Sequence, residues 1–123
     1  MEKNRKTTED YLEAMLMIKE SQGYIRSVDV AEHLGVKKPS VTYATKRLKE
    51  QGLITMDEDN FILLSEAGMK IASTTYRRHR TLTKIFTLLG VDEEIAAKDA
   101  CRVEHDLSQK TYDAIEEHLR KYS

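Results

Sequence analysis

The sequence contains a single cysteine, Cys101, together with one proline, five glycines and no tryptophan among its 123 residues. One cysteine cannot form a disulfide within the chain, which argues against a small secreted scaffold held by disulfides. No apolar run approaches the ~20 residues that a membrane-spanning helix requires, and the basic N-terminus leads into no apolar stretch of a signal peptide. We therefore expect a cytoplasmic protein that does not bind membranes.

Charged residues make up 33% of the chain and hydrophobic residues 40%, a composition typical of a soluble globular protein. Apolar side chains recur every three to four positions in the helical segments, a pattern that predicts three helices, a hairpin and three further helices. The first helix is expected to begin at Thr7 or Thr8, with Asp10 completing a capping box, and to end before Gly23. Later N-caps are expected at serines: Ser27, Ser65 and Ser108.

Residues 27–52 have the order of a helix-turn-helix. A short helix ends at Gly35, and Pro39 suits the first position of the next helix, where its missing N–H is not needed. The segment from Lys37 to Lys49 holds five cations and no acid, and the predicted hairpin follows it. Because a helix fits the major groove and reaches base edges with its N-terminal residues, this order predicts a winged helix-turn-helix that binds double-stranded DNA. The expected contact residues are Lys37, Lys38, Pro39, Ser40, Thr42, Tyr43 and Lys46.

The hairpin, predicted from strand-like runs at 53–56 and 61–64, has the acidic loop Asp57-Glu58-Asp59. Phosphate groups would repel these carboxylates, so we expect the loop to stay out of the minor groove and the hairpin to contribute little to DNA binding. An isolated basic helix is more often a solvated surface, but the helix-turn-helix order disfavours that interpretation here.

Cys101, Glu104 and His105 lie at positions i, i+3 and i+4 of the predicted fifth helix and therefore share one patch of its surface. The patch continues an apolar stripe, where an unpaired glutamate would be costly to bury. A thiol, a carboxylate and an imidazole offer the sulfur, oxygen and nitrogen donors of a divalent transition metal. The alternative is a polar cluster satisfied by hydrogen bonds, in which Cys101 packs as a small hydrophobic residue.

Two other helices carry polar residues beside their apolar stripes. Asp10 and Glu13 share a face of the first helix, and His79 is in line with the apolar residues of the fourth. Each has an ordinary explanation: a helix cap for Asp10, solvation for Glu13 and core packing for His79. Their conjunction with the patch on the fifth helix nevertheless favours a metal site, whereas His33 and His118 are interpreted as packing or surface residues.

Four motifs resemble those of the iron- and manganese-dependent repressors, the DtxR/MntR family. They are TTEDYLE at 7–13, PSVT at 39–42, RHR at 78–80 and ACRVEH at 100–105. The resemblance covers essentially the whole chain and implies a mainly α fold, with an N-terminal winged helix-turn-helix in 1–64 and an all-helical dimerisation and metal-binding domain in 65–123. A helix from Ser65 to Gly90 would link them. The resemblance also implies a homodimeric repressor, in which a metal between the domains orders the dimer for binding to operators near metal-uptake genes.

Residue by residue, the resemblance assigns metal ligation to Asp10, Glu13, His79, Cys101, Glu104 and His105. Asp10 and Glu13 are similar to the manganese branch of the family, whereas Cys101 is similar to the iron branch. The ancillary site of the iron branch is expected to be absent, because Thr83 and Ala97 replace its carboxylate and imidazole. The expected cofactor is therefore Mn²⁺ or Fe²⁺, with Zn²⁺ and Co²⁺ as alternatives, and no organic cofactor is expected.

The leading alternative function is a winged-helix regulator that responds to an organic ligand or a partner protein and has no metal switch. A small metal-dependent hydrolase is disfavoured, because the sequence has no glycine-rich pocket loop and no obvious nucleophile–base pair. We therefore do not expect an enzyme. A stripe available for dimerisation is expected on the last helix, formed by Tyr112, Ile115, Leu119 and Tyr122.

Overall fold

The computed structural model describes residues 2–122, with side chains from residue 5 onward. Within this range the expected mainly α fold is confirmed. The helices are α1 (Glu2–Gln22), α2 (Ser27–Leu34), α3 (Lys38–Glu50), α4 (Glu66–Leu88), α5 (Glu93–Val103) and α6 (Gln109–Tyr122). The antiparallel strands β1 (Ile54–Met56) and β2 (Ile62–Leu64) lie between α3 and α4 in the chain. No helix in 2–122 is both long and apolar enough to cross a membrane.

The first of two compact units extends to Ser73 and contains α1–α3, the hairpin and the start of α4. Its larger apolar side chains that are at most 2% exposed come from helices, strands and a connecting segment: Leu12, Met15, Ile25, Val30, Val41, Leu48, Ile54 and Ile62. Gly35, with φ 67°, ends α2 in the left-handed conformation that glycine adopts without strain. The order of α2, turn, α3 and hairpin is the predicted winged helix-turn-helix.

Backbone contacts hold the hairpin to the helices of this unit. The N–H of Ile62 on β2 donates to the carbonyl of Ile25, just before α2, at 2.8 Å. At the start of α4, a Cβ atom on Gly68 would overlap the carbonyl oxygen of Leu53, so the close approach of α4 to this residue, just before β1, requires glycine. These contacts hold the hairpin against the segment before α2 and against the start of α4.

The predicted start of the first helix is wrong. α1 begins at Glu2, so Thr7 and Asp10 lie inside the helix and cannot form a capping box at its start. The residues before Thr7 are mostly charged residues with good intrinsic helix propensity, which extend the helix beyond the predicted boundary. The end of α1 before Gly23 agrees with the prediction.

The predicted cap of α2 is also wrong by one residue. Ser27 is the first helical residue, and Arg26 occupies the N-cap position. The carboxylate of Asp29 accepts the backbone N–H of Arg26 at 3.2 Å and pairs with its guanidinium at 3.0 Å. The side-chain hydrogen bond from Arg26 lowers the pKa of Asp29. The carboxylate of Asp29 therefore stabilises the start of α2 through the N-cap residue, as the N3 residue of a capping box does.

Two serine caps are confirmed by their hydrogen bonds. Ser65 Oγ accepts the N–H of Gly68 at 3.0 Å, and Ser108 Oγ accepts the N–H of Thr111 at 3.1 Å. Each hydroxyl satisfies one of the N–H groups that a helix start leaves without an intrahelical partner. These caps set the starts of α4 and α6.

The second compact unit begins at Thr74, inside α4, and contains the rest of α4 with α5 and α6. The division at residues 64 and 65 stays a prediction. Tyr112 and Leu119 of α6 are 4% and 7% exposed, so they are buried within the chain rather than available for dimerisation. The Tyr112 hydroxyl lies 3.2 Å from Thr81 Oγ1 of α4, so this residue of the predicted stripe contacts another helix of the same unit. Tyr122, at 73% exposure, remains on the surface.

Candidate metal centre and nucleic-acid interface

The surface predicted to contact DNA lies at the N-terminal half of α3. Pro39 stands in the first turn of this helix, where no N–H is required. The inner side of α3 is fixed in the core by Val41, Thr45 and Leu48. The predicted contact residues are all exposed: Lys37, Lys38, Pro39, Ser40, Thr42, Tyr43 and Lys46. This end of α3 therefore presents cations, hydroxyls and an aromatic ring to solvent.

Tyr43 is 65% exposed, but its ring has a neighbour on the same helix. The guanidinium carbon of Arg47, one turn later, lies 5.8 Å from the centroid of the Tyr43 ring. A cation–π contact at an exposed site contributes about 0.5–1 kcal/mol and favours one orientation of the ring. Sequence reasoning missed this role of Arg47, although the i, i+4 spacing of the two residues was a usable signal.

The hairpin of the same unit carries the opposite charge. The carboxylate of Asp57 accepts the N–H groups of Asp59 at 2.9 Å and Phe61 at 3.0 Å, so it stabilises the loop. Glu58 and Asp59 are exposed beside it. Asp57 thus has a structural role in the loop. The negative charge of the loop acids disfavours contact with phosphate.

In the second unit, a carboxylate lies between two imidazoles. The side chain of Glu104 is fully buried, and its Oε2 is 3.0 Å from Nδ1 of His79, which is a hydrogen bond. Its Oε1 is 3.4 Å from Nε2 of His105, close but without hydrogen-bond alignment. His105 is also fully buried, whereas His79 is 21% exposed. These three residues are called the carboxylate–imidazole cluster below.

The prediction that Glu104 and His105 lie on the fifth helix is wrong. α5 ends at Val103; Glu104 is its C-cap, and His105 lies in the following turn. Ser108 lies beyond this turn and caps α6, as predicted. The carbonyl of Glu104, at this helix end, accepts a hydrogen bond from the side chain of Arg78 on α4, at 3.0 Å.

Cys101 differs from its two predicted neighbours in its environment. It is exposed, whereas Glu104 and His105 are buried, so its interpretation as a small packed hydrophobic residue is wrong. Its Sγ nevertheless lies within 4.8 Å of a carboxylate oxygen of Glu104. A thiol at the surface end of the carboxylate–imidazole cluster can therefore supply a sulfur donor.

The donor chemistry of this region fits a divalent transition metal. Glu104 Oε1 makes no hydrogen bond with any residue in the described part of the chain, and a buried carboxylate oxygen without one is costly. Arg78 binds the backbone carbonyl of Glu104 rather than the carboxylate. Carboxylate oxygen, imidazole nitrogen and a nearby thiol form a mixed donor set that suits Mn²⁺, Fe²⁺, Co²⁺ or Zn²⁺.

The other predicted ligands lie in the first unit, on α1. Glu13 is 7% exposed and Asp10 is partly exposed; at a spacing of three residues they share a helix face, as predicted. His33 and His118 are exposed, in agreement with their interpretation as surface residues. The ring of His118 contacts that of Tyr122, with centroids 4.6 Å apart.

Comparison with protein families gives one match in the N-terminal half of the chain and another in the C-terminal half. Residues 5–60 match the model described as "Iron dependent repressor, N-terminal DNA binding domain". Residues 65–123 match "Iron dependent repressor, metal binding and dimerisation domain". The two matches together cover nearly the whole chain.

Individual proteins give the same result. The chain is 36% identical over 118 residues to the transcriptional regulator MntR of Escherichia coli O6:H1, covering 96% of this chain and 76% of that protein. It is similar to the metal-dependent transcriptional regulator MtsR, with a TM-score of 0.82 and 29% identity over 92% of this chain and 53% of the other. A manganese-dependent transcriptional repressor in complex with manganese gives a TM-score of 0.80 and 28% identity over 91% and 52%.

This chain therefore spans about half the length of those two solved structures. The two family models and the MntR relative nevertheless cover both of its halves, and the resemblance seen in the sequence motifs is confirmed. The chain belongs to the iron-dependent repressor family of metal-responsive transcriptional regulators.

Proposed function

We propose that this chain represses transcription by binding operator DNA as a homodimer, with an affinity that depends on a bound Mn²⁺ or Fe²⁺ ion. The observation that carries the proposal is the burial of the Glu104 carboxylate between the imidazoles of His79 and His105. Because a family of metal-responsive regulators contains the chain, this cluster is best interpreted as part of the regulatory metal site.

The proposed ligands are Asp10, Glu13, His79, Cys101, Glu104 and His105. In the second unit, Glu104 supplies carboxylate oxygens, His79 and His105 supply nitrogens, and Cys101 supplies sulfur from the surface. A bound divalent cation would offset the buried negative charge of Glu104 and satisfy its Oε1 atom. Asp10 and Glu13 stay proposed ligands on the basis of their shared face on α1 and their family resemblance.

The choice of Mn²⁺ or Fe²⁺ is supported by the oxygen and nitrogen donors, which suit both ions. One similar structure is titled as a repressor in complex with manganese, which supports manganese for this chain. The Cys101 thiol, if it ligates, would shift preference toward Fe²⁺, Co²⁺ or Zn²⁺. As a regulator of transcription the protein would act in the cytoplasm and carry out no enzymatic reaction.

DNA binding is proposed for the exposed N-terminal half of α3. In the major groove, Ser40 and Thr42 would donate to phosphates, Lys46 would neutralise a phosphate, and Tyr43 would approach base edges. Arg47 would hold the Tyr43 ring in place by the contact already described. The metal can strengthen this binding only if it has a higher affinity for the DNA-competent state of the protein than for the other state.

The proposed dimer contact lies on the second unit at residues 88–95. Large apolar side chains are exposed there, namely Leu88 at 59%, Leu89 at 74%, Val91 at 36% and Ile95 at 54%. A concentration of exposed apolar side chains marks an interaction surface, and the matching family model describes this domain as one of dimerisation. A two-fold dimer would place two α3 helices on half-sites about 34 Å apart. Sedimentation of the Mn²⁺-loaded protein as a monomer at micromolar concentration would contradict it.

The decisive experiment compares DNA binding with and without metal. A duplex selected from a random pool in the presence of Mn²⁺ serves as the DNA, and fluorescence anisotropy measures its affinity with Mn²⁺ and with a chelator. We expect strong binding with Mn²⁺ and at least about tenfold weaker binding with the chelator, a coupling of about 1.4 kcal/mol or more. Equal affinity under the two conditions would contradict a metal switch and favour the organic-ligand alternative.

A matched pair of variants assigns the effect to the carboxylate–imidazole cluster. Glu104→Gln removes the buried charge, whereas Asp106→Asn removes an exposed charge two residues later. We expect the first variant to lose Mn²⁺ binding in calorimetry and the second to retain it. Loss in both, or in neither, would show that the effect does not come from the Glu104 side chain.

A further inference from the structure

We infer that Arg78 is a positioning residue for the metal-binding turn between α5 and α6; this inference rests on the proposed function. Arg78 is half-buried on α4. Its Nη1 donates to the backbone carbonyls of Glu104 at 3.0 Å and Leu107 at 2.8 Å, and its Nη2 donates to Oε1 of Gln109 at 2.9 Å. One guanidinium therefore bonds to Glu104 and Leu107 in this turn and to Gln109, the first residue of α6.

The turn needs such a donor because it contains no regular helix. Carbonyl groups at the end of a helix have no intrahelical partner and must be satisfied by other donors. Within the turn, the N–H of Asp106 donates to the carbonyl of Val103 at 3.0 Å. The carbonyl of the next residue, Glu104, accepts its hydrogen bond from Arg78. A guanidinium suits the task, since its planar fork presents several N–H groups in fixed directions.

The guanidinium of Arg78 is itself held in place. Its carbon atom lies 5.2 Å from the centroid of the Tyr112 ring, which is a cation–π contact. The Tyr112 hydroxyl in turn donates to Glu116 at 2.9 Å and lies 3.2 Å from Thr81. Arg78 is therefore a fixed support rather than a flexible surface cation.

Arg78 and His79, which are adjacent on α4, contact different groups of Glu104. Arg78 holds the backbone carbonyl of Glu104, while His79 contacts its carboxylate at 3.0 Å. His105 follows Glu104 directly in the chain, so the same support sets its position as well. Two proposed ligands are thereby placed by a residue that does not bind metal, which is the role that outer partners of metal ligands have in other proteins.

The test is Arg78→Lys, which retains the positive charge but cannot reach two carbonyls and Gln109 with one ammonium group. We expect Mn²⁺ affinity, measured by calorimetry, to fall about 10–100-fold, as for outer-shell partners of other metal sites. The visible absorption spectrum of the Co²⁺-loaded protein should also change, because the geometry of the ligands changes. The control is Arg77→Lys, since Arg77 is 64% exposed and contacts Glu116 instead; it should behave like the parent protein.

The outcomes separate positioning from a merely structural role. If Arg78→Lys lowers the melting temperature but keeps the parent Mn²⁺ affinity and Co²⁺ spectrum, the inference is overturned. A second variant, Gln109→Ala, removes one of the three contacts and should give a smaller loss of affinity in a folded protein. Unchanged affinity in Gln109→Ala as well as Arg78→Lys would also count against positioning. If the parent protein binds neither metal, the proposed function fails and this inference fails with it.

Discussion

The surface of α3 that is predicted to contact DNA and the carboxylate–imidazole cluster place polar groups in opposite environments. On α3, the predicted contact residues are exposed, and Tyr43 is restrained by one neighbouring guanidinium. In the cluster, the Glu104 side chain has no exposure and is held at its carboxylate and at its backbone. Substitutions on α3 should therefore act separately, whereas substitutions in the cluster should act together.

The two regions also differ in how strongly their charged groups interact with a partner. Exposed cations interact with DNA through water and are screened by salt over a Debye length of about 8 Å at physiological ionic strength. Buried groups interact in a medium of lower effective dielectric constant, so a missing partner has a larger effect.

The largest effect is expected for His105→Ala. This substitution removes a fully buried imidazole beside Glu104. Because His105 is a proposed ligand and not an outer partner, the loss of Mn²⁺ affinity should exceed about 100-fold. Calorimetry measures the affinity, and circular dichroism checks that the fold persists. His118→Ala, on the exposed side of α6, is the matched control; parent-like affinity in His105→Ala would remove His105 from the ligand set.

The first unit was largely predictable from the sequence because its signals are local. Gly35 ends α2, Pro39 stands in the first turn of α3, and Ser65 caps α4, all within a few residues of the expected positions. Glycine φ preference, the missing proline N–H and a serine hydroxyl act on adjacent residues, so no knowledge of the tertiary structure is needed.

The starts of α1 and α2 were predicted wrongly for local reasons, whereas two other errors involve residues that are distant in the chain. The apolar spacing of α5 continues past Val103, but the helix ends there, and the carbonyl of Glu104 is bonded by Arg78, 26 positions earlier in the chain. The stripe on α6 looked available for a partner, but Tyr112 is buried and its hydroxyl contacts Thr81. Periodicity identifies which side chains are buried, but it does not identify what covers them.

A smaller effect is expected for Lys46→Ala on the exposed surface of α3. If Lys46 contacts one phosphate, its removal should weaken binding to all DNA sequences alike and reduce the slope of log affinity against log salt by about 1. Anisotropy titrations at several salt concentrations measure this slope. Lys98→Ala on α5 is a control with the same loss of charge at an exposed position. An unchanged slope in Lys46→Ala would place this residue outside the DNA contact.

The smallest effect is expected for Asp29→Asn, at the start of α2. Asp29 accepts the N–H of Arg26 and pairs with its guanidinium, and the hydrogen bond from Arg26 lowers the pKa of Asp29. A carboxylate whose pKa is lower in the folded state stabilises the fold above its unfolded pKa, about 3.9, and loses this contribution as the pH falls through the folded value. Because the Arg26 side chain of the pair is 50% exposed, the variant should melt within a few degrees of the parent at pH 7.

The dependence on pH distinguishes this contribution from a general loss of stability. At neutral pH the parent should be slightly more stable than Asp29→Asn, and the difference should shrink as the pH is lowered below about 4, since the parent carboxylate becomes protonated. Thermal unfolding followed by circular dichroism between pH 3 and pH 7 measures the difference. Glu32→Gln, an exposed position on the same helix, controls for loss of charge alone. A difference that stays constant over this range would mean that Asp29 acts through its shape or its neutral hydrogen bonds and not through its charge.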